Sequence, residues 1–245
     1  MSSCTTLKTN NTNIAIYKTK LKSLSLLTDE MVLKVINNSQ RIEIKSKRSF
    51  NTVVLQEDYY YFVLDGKVNI IQIDKVSDNY FLTDTVPQGY PLFGIDEFLD
   101  KPKQLRIAAM CNSVILKIPS KLFKDLIKIT SFYNEVLDQL SKAHTRLKRS
   151  LVLHSQYDVR QKIMFYLLDN VTGADKDGNL ISTVTTSNQF TAYALSSSRE
   201  MISKIFTELT SEGKIKKLNN DTVIIFKNKC LSDLELHKLY LNNFN

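Results

Sequence analysis

One pattern constrains this chain more than any other. Tyr133, Leu137, Leu140, His144, Leu147, Leu151 and His154 follow one another at alternating steps of four and three residues, the spacing that lines up one narrow apolar seam along a helix. Lys142, Arg146, Lys148 and Arg149 fall between them and would keep the flanks in water. A long helix with a single seam is predicted to pair with its own copy. The alternative is a helix lying on the strands that precede it. His144 and His154 have no carboxylate or cysteine nearby in sequence, so they are read as polar seam residues that set register, with no metal site assigned.

Ahead of this helix the period changes from 3.5 to 2. Residues 1–40 read as a polar leader with a short helix near Asp29–Ile36. RIEIK (Arg41–Lys45) alternates strictly, and YYYFVLDGKVNIIQI (Tyr59–Ile73) reads as two β-runs around Asp65-Gly66, a hairpin signal. NYFLTDTV and SVILKI add strands, with PQGYP and DKPK as turns. Residues 41–118 are therefore predicted to form a β-barrel or sandwich. At Pro119 the character becomes helical, with Ser120 as a cap, and 119–157 are assigned to the long helix and its lead-in.

Behind the helix the elements are short. VRQKIMFYLLDNV reads as a helix, TGADKDGNL as a connector and TTSNQFTAYAL as a second helix capped by Thr186 or Ser187. SSSREMISKIFTEL (Ser196–Leu209) follows, and GKIKKLNNDTVIIF closes the region as a hairpin turning at Asn219–Asp221. Residues 158–229 are assigned to one unit and 230–245 to a C-terminal tail.

Composition excludes several classes. With 43% apolar residues among 245, a real core can form. No apolar run approaches the ~20 residues of a membrane span, and the first residues lack the apolar core of a secretory signal. The three cysteines are scattered, so neither a disulfide framework nor a thiolate metal site is expected. No Ser-His-Asp spacing, HExxH or P-loop is present, so no enzyme is predicted. A net charge of +8 is compatible with an anionic partner and equally with a solvated basic surface.

The decisive stretch is SSSREMISKIFTEL. Ser197 and Glu200 have capping-box spacing, which would start a helix there. Ile202, Ile205, Phe206 and Leu209 form one apolar stripe, leaving Ser198, Arg199, Ser203, Lys204 and Thr207 outward. A helix entered by a tight turn from another, with a polar outer face, is the helix-turn-helix arrangement. Such a helix presents its N-terminal residues to base edges in the major groove. Arg199, Glu200, Ser203 and Lys204 are the predicted base contacts, arginine to guanine and glutamate to cytosine. Ser198, Thr207, Lys214, Lys216 and Lys217 are the predicted phosphate contacts.

In that order, barrel, seam helix, helix-turn-helix and hairpin wing resemble the Crp/Fnr family of transcription regulators, over Arg41 to Lys229. YYFVLDGKVNI resembles the family's barrel turn, LFGIDEF the segment around its effector pocket, VILKIPSKLF the last strand leading into the long helix, and SSREMISKIFTELTSEGKI the recognition helix and its exit to the wing. The resemblance implies an α+β chain: a double-stranded β-helix (jelly-roll) sensor barrel, a dimerisation helix and a winged helix-turn-helix. It implies a homodimer on an inverted repeat in double-stranded DNA, with RNA polymerase as a further partner. A cyclic-nucleotide-binding-like regulatory module without DNA binding is the other reading the barrel alone would permit.

The resemblance places an effector pocket at Phe93, Gly94, Ile95 and Arg106. Ile95 stands where the cyclic-AMP receptor has a glutamate, and Lys103-Gln104 where it has an Arg-Ser pair, which argues against cyclic AMP. No resident cofactor is expected. Within the family, the lack of a cysteine cluster, an Asn-, Lys- and Ile-rich composition and FGID at Phe93–Asp96 are similar to the cyanobacterial nitrogen-regulator branch and its red-algal plastid relative. That narrower resemblance implies 2-oxoglutarate as effector and a chloroplast stroma as location, with a bacterial cytoplasm otherwise. Asp96 would repel the dianion unless it faces away.

Overall fold

The computed structural model describes residues 11–45, 53–73, 80–94, 98, 106–109, 111–184, 188–219 and 221–243. They form two compact units, residues 1–147 and 148–245.

The first unit begins with three helices, α1 (Asn11–Lys20), α2 (Lys22–Ser25) and α3 (Asp29–Asn38). Residues 11–38 are thus not a polar leader. Ile14, Tyr17, Leu21, Leu24, Leu27, Val32, Val35 and Ile36 are all buried in one cluster with strand residues Tyr60, Phe62, Leu64, Leu116 and Ile118. The first four step by three, four and three, a helical stripe that the polar composition around them concealed. Thr28 caps α3 by accepting from the Met31 N–H at 3.3 Å. Lys22 of α2 reaches the buried Glu135 carboxylate at 2.7 Å.

Seven strands follow: β1 (Gln40–Ile44), β2 (Val53–Val54), β3 (Tyr59–Asp65), β4 (Lys67–Ile73), β5 (Tyr80–Pro87), β6 (Arg106–Ala109) and β7 (Ser113–Pro119). They make two antiparallel sheets, β1-β7-β3 and β2-β6-β4-β5. Ile44, Tyr61, Val63 and Ile115 of the first sheet meet Val68, Val86 and Ile107 of the second in a dry interior. Along β3 the residues alternate: Tyr61 and Val63 fill that interior, while Tyr60, Phe62 and Leu64 pack against the helices. Burial on both faces explains why YYYFVL is an unbroken apolar run.

The Asp65-Gly66 signal has a different meaning from a hairpin. The strands it joins are not partners: β3 pairs with β7, β4 pairs with β5 and β6. The turn hands the chain from one sheet to the other. Gly66 has φ +82°, and a Cβ there would stand 2.4 Å from Ser113 Oγ and 2.8 Å from the Asn112 carbonyl oxygen. Glycine is required on both counts.

Two helices complete this part of the chain, α4 (Ser120–Leu126) and α5 (Thr130–Gln156). Ser120 is the first residue of α4 and not its cap: that position is Pro119, which makes no side-chain bond. The 27-residue α5 divides the predicted seam between two environments. Its first turns bury Phe132, Val136 and Leu140 in the cluster with α1–α3, with Leu137 packed alongside. This part lies on its own unit, the alternative allowed above. Farther on, Leu147 and Leu151 are 45% and 70% exposed, and His144 is exposed. The heptad pattern could not separate these two halves because both present apolar residues at the same spacing. Arg146 leaves the seam face and grips Asp84 of β5 with two bonds, 3.2 and 3.0 Å, its guanidinium 5.0 Å from the Tyr90 ring centre.

The second unit contains α6 (Val159–Leu168), β8 (Val171–Ala174), β9 (Leu180–Thr183), α7 (Asn188–Ala194), α8 (Arg199–Ser211), β10 (Ile215–Asn219), β11 (Thr222–Ile225) and α9 (Leu231–Asn242). Its sheet runs β10-β11-β9-β8, all antiparallel. The connector TGADKDGNL therefore contains the end of β8, a tight turn and the start of β9, a hairpin whose turn is held by Asp175 accepting from Asp177 and Asn179. The alternation was masked by its shortness and its charged turn. The caps proposed at Thr186 and Ser187 lie outside the described residues.

Nor are residues 230–243 a tail. Within α9, His237 meets Asp169 at 2.8 Å, the Tyr240 hydroxyl donates to the Arg149 carbonyl at 3.0 Å, and both rings pack on Phe165. His154 is half-buried in this unit, and burial followed by the nearby Lys162 charge keeps its imidazole below the ordinary range. Lys162 donates to the His154 carbonyl at 3.1 Å. His154 is thus a packed residue of the second unit and not an open seam position. Among the described residues no group of three or more His, Cys, Asp or Glu could hold a metal, and no helix is long and apolar enough to cross a membrane.

Candidate nucleic-acid interface

The turn between α7 and α8 is tight because Ser196 takes φ +49°. The Ser197 N–H then returns to the Ala192 carbonyl at 3.0 Å, closing α7 in the way a C-terminal glycine usually does. A left-handed serine is strained. Ser196→Gly is expected to raise stability by ~0.5–1 kcal/mol, read as a higher chemical-denaturation midpoint with an unchanged slope. An unchanged or lower midpoint would mean the turn is not strained.

Entry to α8 is fixed by Ser198, whose hydroxyl accepts from the Met201 N–H at 3.1 Å. This corrects the capping box: Ser198 is the cap, one residue later than Ser197, and Glu200 sits at the second helical position with no part in it. The predicted phosphate contact Ser198 is thereby already committed as an acceptor, though its proton is still available to a phosphate.

Downstream, Ile202, Ile205, Phe206 and Leu209 are buried, and this stripe rotates everything else outward. Arg199, Glu200, Ser203, Lys204 and Thr207 are all exposed. Together with Asn188 of α7 and Glu208 they line an open concavity of about 610 Å³. All four predicted base contacts are therefore on one free face, with hydrogen-bonding groups of both signs. Lys204 is 70% exposed and 4.0 Å from Glu208.

The wing lysines separate into three situations. Lys214 is bound to Asp233 of α9 at 2.8 Å, with both side chains largely covered, so it is a structural ion pair and not a free phosphate contact. The tail that supplies Asp233 had been read as outside the unit, which is why the pairing could not be foreseen. Lys217 is also exposed, but its side chain folds over the Phe206 ring, with the nitrogen 3.9 Å from the ring centre. Lys216 is exposed on β10 and is the wing lysine best placed for an external anion.

One participant was missed entirely. Arg160, in the first turn of α6, makes a hydrogen-bonded ion pair with Glu212 and stands 3.9 Å from Glu208. No spacing rule links residues 52 apart. The start of α6 is itself rigid: Asp158 accepts from the Gln161 N–H at 2.8 Å and the Gln161 side chain accepts from the Asp158 N–H at 3.1 Å.

The predicted effector residues are less coherent. Phe93 is a core ring, packed edge-on to Tyr60 and Phe123 with centroids 5.0 and 5.5 Å away, and so is not an open pocket wall. Gly94 is exposed and Arg106 half-buried at the start of β6. Ile95, Asp96, Lys103 and Gln104 lie outside the described residues. Cys230 is buried, which pushes its thiol up to about 11 and leaves it unreactive.

No family model and no curated protein matches the chain. Solved structures do. A CRP-family transcriptional regulator from Thermus thermophilus is 20% identical with a TM-score of 0.63, over 80% of this chain and 95% of that one. A CooA mutant from Carboxydothermus hydrogenoformans is 15% identical with a TM-score of 0.66, over 89% and 95%. The c-di-GMP-responsive global regulator CLP of Xanthomonas campestris is 16% identical with a TM-score of 0.65, over 81% and 99%. With its two-sheet barrel, long helix and winged helix-turn-helix, the chain has the fold of the Crp/Fnr-type regulators.

Proposed function

We propose that this protein is a transcription regulator of the Crp/Fnr family that binds an inverted repeat in double-stranded DNA as a homodimer. The observation that carries the reading is the outer face of α8: Arg199, Glu200, Ser203 and Lys204 are exposed while the apolar stripe beneath them is buried. A helix this exposed, entered by a tight turn and followed by a strand bearing Lys216, suits the major groove with phosphates alongside. The exposed Leu147 and Leu151 on α5 are the surface that a second copy would cover. RNA polymerase is the further partner.

Arg199→Ala is expected to weaken binding by ~1–3 kcal/mol and to relax preference at one base pair. Lys216→Ala is expected to weaken all sequences alike and to reduce the salt slope by about one. Selection of bound duplexes from a random pool, followed by titration of both variants at two salt concentrations, checks this. Equal losses on selected and scrambled duplexes for Arg199→Ala would remove it from base reading, and a selected site without two-fold symmetry would remove the homodimer.

The effector is the finer part of the proposal: a small anion in the barrel, with 2-oxoglutarate the candidate that the nitrogen-regulator branch supplies, and with a plastid location following from the same branch. Repeating the selection with and without 2-oxoglutarate tests this branch separately. Identical enrichment would discard it and leave the DNA reading standing.

A further inference from the structure

Glu208 lies between two cations. Lys204 Nζ is 4.0 Å from Glu208 Oε1 on one side, along the same helix face. Arg160 is 3.9 Å from Glu208 Oε2 on the other and is anchored in place by Glu212. Arg160 is 30% exposed, whereas Lys204 is 70% exposed and projects into the concavity with Arg199, Glu200 and Ser203. The two cations meet different oxygens of one carboxylate, so the charge of Arg160, carried on the capped first turn of α6, weakens the pull of Glu208 on Lys204. A lysine folded back onto Glu208 is withdrawn from the groove, and an unneutralised Glu208 would face the DNA backbone as a like charge.

We propose that Arg160 is a positioning residue for DNA recognition: by engaging Glu208 and Glu212 it neutralises the outer edge of α8 and leaves Lys204 free to read a base. This rests on the DNA-binding reading above. Arg160 acts through Glu208, so removing the carboxylate removes the need for the arginine.

The test uses the full chain, a random duplex pool, and the duplex that the unaltered protein enriches from it. Arg160→Met is expected to bind that duplex about tenfold more weakly and to lose preference at the same base pair as Lys204→Ala. Adding Glu208→Gln to Arg160→Met is expected to recover affinity to within about threefold and to restore the preference, a non-additivity that two independent sites would not give. If Arg160→Met does not fold, Glu208→Gln alone carries the test and is expected to bind at least as tightly as the unaltered protein. An unrescued double variant means that Arg160 touches DNA itself or only supports the fold, and overturns the inference. So does weaker binding by Glu208→Gln, or an unaffected Arg160→Met. A pool that the unaltered protein fails to enrich overturns the DNA reading and this inference with it.

Discussion

A chain lacking residues 1–38 is expected not to form a native first unit. Eight apolar side chains from Ile14 to Ile36 are buried against the first sheet and its neighbouring helices. At about 1.5–3 kcal/mol for each buried side chain, their combined burial is comparable to or larger than the ~5–15 kcal/mol that holds a typical domain folded. It also uncovers Tyr60, Phe62, Leu116 and Ile118, which face these helices in the intact unit. The expected result is loss of the cooperative near-ultraviolet transition and strong binding of a hydrophobic dye. A truncated chain that melts cooperatively at the same temperature as the whole would show that these helices merely cover a barrel that stands without them. The outcome also bears on the proposed function, because α1–α3 pack on the first turns of α5 as well as on the strands, and so fix the root of the helix whose exposed Leu147 and Leu151 form the proposed dimer surface.

Gly66→Ala is expected to cost about 2–5 kcal/mol. Part is the left-handed backbone, ~1–2 kcal/mol for a residue with a Cβ. The rest is steric, since that Cβ would lie 2.8 Å from a backbone oxygen, at Asn112, and 2.4 Å from the buried Ser113 hydroxyl. Ser113 cannot simply move: its Oγ accepts the Lys67 N–H at 3.2 Å and donates to the Cys111 carbonyl at 2.9 Å. Gly178→Ala provides the control. Its φ is +80°, but nothing lies within 4 Å of the added carbon, so it should show the backbone cost alone. Denaturant titration of both variants separates the two contributions, and equal losses would mean the turn at Gly66 shifts to admit the methyl.

What could be read in advance followed the range of the interactions. The α8 stripe of Ile202, Ile205, Phe206 and Leu209 was legible because a helix writes its buried face at fixed spacing, and the exposed set opposite followed from it. The β10-β11 wing was legible because its strands adjoin in sequence. The Asp65-Gly66 turn was recognised as a turn, but its partners were misassigned: a dipeptide encodes local backbone angles and not which sheet each strand joins. The helix near Asp29–Ile36 was legible, but residues 11–25 were misjudged from average polarity, although Ile14, Tyr17, Leu21 and Leu24 carried the helical period.

By itself the sequence determined much of the local geometry: the long helix, the turn at Asp65-Gly66, and which side of α8 is polar. Only the tertiary structure decided which charges are free. Lys214, Lys216 and Lys217 are equivalent as letters, yet one is held by Asp233, one is laid over the Phe206 ring and one is exposed with no such contact among those described. Arg160 and Glu208 became neighbours only when α6 packed against α8. The physical reason is that periodicity reports burial along one element, whereas an ion pair depends on where two elements distant in sequence come to rest.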